Sequence, residues 1–115
     1  MSSSEVGAAW ESKVSAWLSN HGFETVRLRG LEGPKDHGDI GGHPRWSLDC
    51  KDQATHRFGP WVAQARIESK NAQKPLSAVI VKRRGKPTKD AFVVMDLATW
   101  AVLENYVDSL EKDLR

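Results

Sequence analysis

The stretch "DHGDIGGHPRWSLDCKDQ", Asp36 to Gln53, holds two short apolar segments on either side of a Gly-Gly-His-Pro turn and places Asp39, Asp49 and Lys51 along them. Asp39 and Ile40 begin one strand, Gly41 to Arg45 turn the chain, and "WSLDCKD" forms the next strand. Side chains alternate across a strand, so Trp46, Leu48 and Cys50 share one face and Ser47, Asp49 and Lys51 the other. The acid and the lysine therefore point the same way and can act on one object above the sheet.

Before this stretch, Val6, Trp10, Val14, Trp17 and Leu18 recur at spacings of three and four, which predicts a helix from Glu5 to His21. Ser4 is its candidate N-cap and Gly22 its left-handed C-terminal cap. "FETVRL", Phe23 to Leu28, predicts a first strand, and "RGLEGPKDHG" a returning loop. After the stretch, Pro60 favours a helix start, and "WVAQARIESKNAQ" forms a moderately amphipathic second helix through Trp61, Ala65 and Ile67 to Glu68. "LSAVIVKR", bounded by Pro75 and Gly85, predicts a buried strand, and "AFVVMD" a last one. "LATWAVLENYVDSLEKDLR" predicts a closing helix with Leu97, Trp100, Leu103, Tyr106, Val107 and Leu110 on its inner face. The order α-β-β-β-α-β-β-α suits an α/β fold with a mixed sheet of about five strands flanked by helices.

The 115 residues fit a single domain, residues 1–115, with one modest core. No apolar run approaches the roughly 18 residues that span a bilayer, and "MSSSEVGAAW" lacks a signal peptide's features, so a cytoplasmic location and no membrane partner are expected. Cys50 is the only cysteine, which excludes an internal disulfide and makes a structural zinc cluster improbable. A net charge of +2 says little about partners, but "KRRGKPTK", Lys82 to Lys89, concentrates five basic residues without an acid.

Two carboxylates held together favour a hard divalent cation such as Mg²⁺, with Mn²⁺ as a substitute. Asp39 and Asp49 supply that pair, and the backbone carbonyl of Cys50 is a third oxygen ligand if its strand edge is unpaired. An ammonium at Lys51 can orient a nucleophile or neutralise charge developing on a phosphate. The plainer alternative makes Asp39 a turn cap and Asp49 with Lys51 a solvated ion pair.

"GDI" followed about ten residues later by a strand ending in "DCK" resembles the core of the PD-(D/E)xK nucleases. The likeness is to the branch of Holliday-junction resolvases, archaeal-type enzymes with actinobacterial and phage relatives. "WESKVSAWLSNHGF" is similar to that family's glutamate-bearing helix, "TVRLRG" to its first strand, and "VIVKRRGK" with "AFVVMD" to the last strand pair of the phage relatives. The resemblance implies a restriction-endonuclease-like core with Glu11, Asp39, Asp49 and Lys51 as catalytic residues, the three acids also as metal ligands. It departs from the usual pattern in carrying glycine rather than proline before Asp39, and aspartate rather than glutamate at Asp49.

The function so implied is Mg²⁺-dependent endonuclease cleavage of branched or four-way-junction DNA by a homodimer, in a bacterial cell or a phage-infected host. A nuclease acting on flaps, nicks or ends, or a non-cleaving DNA-binding accessory protein, stands as the alternative. Gln53 shares the parity of the active face and joins the catalytic candidates, while Gln64 on the second helix is a weaker one. Glu5 competes with Glu11 for the helix position. Arg27, Arg29, Lys35, Arg57, Lys82, Arg83, Arg84 and Lys86 are candidates for phosphate contacts. His37 and His43 are expected near the site mouth without acting as ligands, and all five tryptophans are expected to face the core.

Overall fold

A computed structural model describes residues 3–29 and 37–114. The helices are α1 (Ser3–Ser19), α2 (Phe58–Asn71) and α3 (Leu97–Asp113), and the strands are β1 (Arg27–Leu28), β2 (Ile40–Gly41), β3 (Trp46–Lys51), β4 (Leu76–Val81) and β5 (Phe92–Val94). The expected order is present, in one sheet ordered β1-β2-β3-β4-β5. β3 and β4 pair in parallel from Trp46↔Leu76 to Lys51↔Val81, with α2 as their crossover, and every other pair is antiparallel.

The parity of β3 divides the molecule into layers. Leu48 and Cys50 with Ala78 and Ile80 form one face, which Trp10 and Val14 of α1 cover together with Val26 and Ile40. Val79 and Val81 form the opposite face under Trp61 and Ala65 of α2. β4 is buried along its whole length, as its β-branched run predicts. Trp10 is 2% exposed, and its indole N–H donates to the Ile80 carbonyl at 3.1 Å, so the ring buries its area without stranding a donor.

Four expectations are corrected. Ser4 lies inside α1 rather than at its cap, since the helix already runs from Ser3. β1 is shorter than Phe23–Leu28 because helix termination takes up its start: Gly22 adopts φ +96°, the Phe23 amide returns to the Leu18 carbonyl, and the Val26 amide bonds the Phe23 carbonyl. On α2, Ile67 is 55% exposed, because the sheet-facing line continues from Trp61 and Ala65 to Glu68 and Ser69. The face of α3 expected to be inner is largely uncovered, with Leu97 at 78%, Trp100 at 50% and Leu110 at 53% exposure. Trp100 therefore leaves the set of core tryptophans, as does Trp17, which is half-buried and stacks on the His21 ring at 3.9 Å rather than joining either core cluster. The start of α3 is held by the Asp96 carboxylate accepting from the Thr99 amide and by Arg66 at 2.7 Å from Asp96, and further along Arg45 lies over the Tyr106 ring at 5.7 Å.

Candidate functional site

The site forms where β2 ends and β3 continues. β2 registers with β3 only at Ile40↔Leu48, and the Asp39 amide donates to the Leu48 carbonyl. Beyond that point the Asp39 side chain replaces the missing strand: its Oδ2 accepts from the Cys50 amide at 2.8 Å. A strand residue's N–H and C=O point to the same side, so the Cys50 carbonyl also lies on this edge, past the last residue of β2 that pairs there. That is the unpaired edge which the expected third oxygen ligand requires.

The glycine standing where the resolvase pattern has proline has a local cause. Gly38 adopts φ +94°, which proline cannot, and a Cβ there would lie 2.5 Å from Ser47 Oγ. Ser47 Oγ in turn donates to the His37 carbonyl at 2.7 Å. The chain thus enters Asp39 by a glycine turn pinned to β3.

Glu11 reaches the same point from α1 and is hydrogen-bonded to Asp39. Burial pushes Glu11 up to about 7, with that hydrogen bond and the charge of Asp39 adding and Lys51 opposing. Asp49, 6% exposed, is pushed up to about 8, first by burial and then by its hydrogen bond to Glu68 and the charges of Glu68 and Asp39, again with Lys51 opposing. Glu68 on α2 is the residue that sequence reasoning did not place in the site. Its signal was present: it falls three positions after Ala65 on the stripe that faces the sheet, where an acid has no packing reason to be. Gln64 Nε2 donates to Glu68 Oε1 at 3.2 Å, whereas Glu68 Oε2 is buried with no donor among the described residues.

Lys51 completes the group, its ammonium 5.9 Å from the centre of the Trp61 ring. Lys51 and Cys50 line an open groove of about 690 Å³ with Gln53 and the first turns of α1 at Val6 and Gly7. Gln53 is thus beside Lys51 but exposed. Burial pushes the Cys50 thiol up, and the charges of Asp39, Glu11 and Asp49 add to the effect, so it stays protonated among the core side chains. Glu5 is exposed near the start of α1, two turns from Glu11.

Among the described residues, no three His, Cys, Asp or Glu side chains are gathered tightly enough to hold a metal as they stand. The acids lie as two neighbouring pairs, Glu11 with Asp39 and Asp49 with Glu68. A proton or a cation between two such carboxyls offsets their repulsion. Asp39, Asp49, Glu11 and the Cys50 carbonyl offer oxygen donors alone, which suits Mg²⁺ or Mn²⁺, and the proton affinities of Glu11 and Asp49 are raised by burial first and by the neighbouring carboxylates second.

The basic candidates separate into groups. Lys82 and Arg84 both pair with Asp52, at 3.6 and 2.9 Å, Lys82 also lies over Trp10, and Arg83 lies over Phe92. Much of the "KRRGK" charge is therefore already engaged. Lys86 and Arg57 are exposed, Arg27 and Arg29 lie on β1 and just beyond it, and Lys35 falls outside the described residues. His43 is not at the site mouth; its Nδ1 accepts from the amides of Arg45 and Trp46, closing the β2–β3 turn, and burial with Arg45 and Lys74 lowers its pKa.

Compared with known protein families, with curated proteins and with solved structures, the chain matches none.

Proposed function

We propose that the chain is a Mg²⁺-dependent endonuclease acting on branched DNA as a homodimer, with a four-way junction as its substrate. One observation carries the reading: Asp39, held by the Cys50 amide at the open edge of β3, interacts with Glu11 from α1 and with Asp49 on β3, and Lys51 lowers the proton affinity of both partners. Asp39, Asp49, Glu11 and the Cys50 carbonyl would hold the ion. When bound, the ion supplies positive charge and Lewis acidity at the phosphodiester.

The remaining work falls to the chain itself. The Cys50 amide fixes Asp39, and Gln64 orients Glu68 beside Asp49, whose raised proton affinity lets it give up a proton as the site fills. The Lys51 ammonium faces charge that grows on the phosphate as a water adds to phosphorus and the P–O ester bond breaks.

Support for the homodimer comes from α3. Its apolar side is exposed at Leu97, Trp100 and Leu110, and a two-fold pair formed there would present two sites to the two symmetric strands of a junction.

The test is cleavage of a synthetic four-way junction, a flap and a linear duplex at matched salt, with Mg²⁺ and with a chelator. Cutting of the junction with Mg²⁺ alone is expected. Preference for the flap would move the substrate, and no cutting of any of the three would remove the nuclease reading.

A further inference from the structure

We propose that the groove between β1 and the C-terminal end of α2 is a binding track for a DNA phosphodiester backbone, leading away from the acidic site. This rests on the nuclease reading for its substrate but not for its residues. The groove, of about 740 Å³, is lined by Arg27, Arg29, His37, Asn71, Gln73 and Lys74 among others. Arg27, Arg29 and Lys74 make no ion pair with an acid among the described residues, in contrast to Lys82 and Arg84.

Register joins the groove to the site. Leu28 pairs with Ile40 and Ile40 with Leu48, so the next row across the sheet is Arg29, Asp39 and Asp49, and the Arg29 amide donates to the Asp39 carbonyl at 3.1 Å. The guanidinium then lies over Gly41, where a Cβ would sit 2.9 Å from Arg29 Cζ. Its Nε is buried with no hydrogen-bond partner among the described residues. A buried donor left without an acceptor destabilises the fold unless something fills its need. A phosphate oxygen is the acceptor that suits a guanidinium fork.

Gln73 gives a second, independent sign. It is the only non-glycine described with positive φ, +59°, at the position after the α2 cap where glycine is preferred. The Schellman bonds from Gln73 to the Lys70 carbonyl and from Lys74 to the Ser69 carbonyl occupy the helix end, so its negative pole is partly spent before Lys74 adds a full positive charge. Gln73 holds this conformation while lining the groove.

The experiment measures binding in chelator, apart from cleavage, by fluorescence anisotropy of a labelled four-way junction across a salt series. The double variant Arg27→Gln/Lys74→Gln is compared with Lys13→Gln/Lys112→Gln, which removes equal charge from α1 and α3. The groove variant is expected to bind at least tenfold more weakly, with a log–log salt slope shallower by about two, while the control keeps the wild-type slope. Gln73→Gly should melt at a higher temperature and still bind more weakly. Equal losses in both double variants, or unchanged binding in a folded groove variant, overturn the proposal. Displacement of DNA by millimolar inorganic phosphate or a mononucleotide would make the groove a small-anion site and also overturn it. Wild-type binding without any Mg²⁺-dependent cutting leaves the groove standing and removes the nuclease reading; cutting with an unchanged salt slope does the reverse.

Discussion

At the scale of single residues, Glu11 and Asp49 hold protons above the ordinary carboxyl range. Glu11 moves from 4.5 to about 7 and Asp49 from 3.8 to about 8, so between those limits the folded chain binds more protons than the unfolded one. Stability in metal-free solution is therefore greatest at the acidic end of that window, falls as pH rises through about 7 and 8, and is flat above. Thermal melts between about pH 5 and 9 check this, and saturating Mg²⁺ should flatten the decline; a metal-free melting point that rises across the window contradicts it. Asp49→Asn removes one of the repelling charges, so it should be as stable as wild type or more so at pH 8 while losing all Mg²⁺-dependent cleavage. Lys51→Ala should slow single-turnover cleavage by about a hundredfold or more while sparing most Mg²⁺ affinity, because the ammonium acts on the phosphate and is no ligand. Gly38→Ala must hold φ +94° beside Ser47 and should cost about 1–2 kcal/mol in urea unfolding.

Elements show where sequence suffices and where it does not. Strand alternation in "WSLDCKD" predicted the layers correctly, because one slip of register would have buried Lys51 under α1. The apolar spacing around Trp10 and the β-branched run of β4 were equally legible. β1 was overestimated because the pattern of "FETVRL" does not reveal that its first residues close the helix. Glu68 was passed over because a glutamate on a helix reads as solvated until the strand acid opposite it is located. The start of α3 offers an element-scale test: Asp96→Ala removes the cap on Thr99 and should cost about 1 kcal/mol by urea unfolding, chiefly through the cap, since the exposed Arg66 pair adds little. An unchanged midpoint would show that α3 docks without it.

For the whole molecule, the pattern of α3 states that one face is apolar but not what covers it, which is why an inner face was expected and an outer one is found. A homodimer through this helix predicts that Trp100→Glu/Leu110→Glu sediments as a folded monomer where wild type sediments as a dimer; a wild-type monomer at tens of micromolar removes the dimer. On the proposed reading, the open β3 edge and the acids around Asp39 form a centre that exchanges protons for a cation. Calorimetric titration of Mn²⁺ into the metal-free protein at about pH 6.5, repeated in buffers of different ionisation heat, tests that exchange directly. The account predicts saturable binding with release of one to two protons, abolished in Asp39→Asn; absence of binding, or binding without proton release that survives Asp39→Asn, would contradict it.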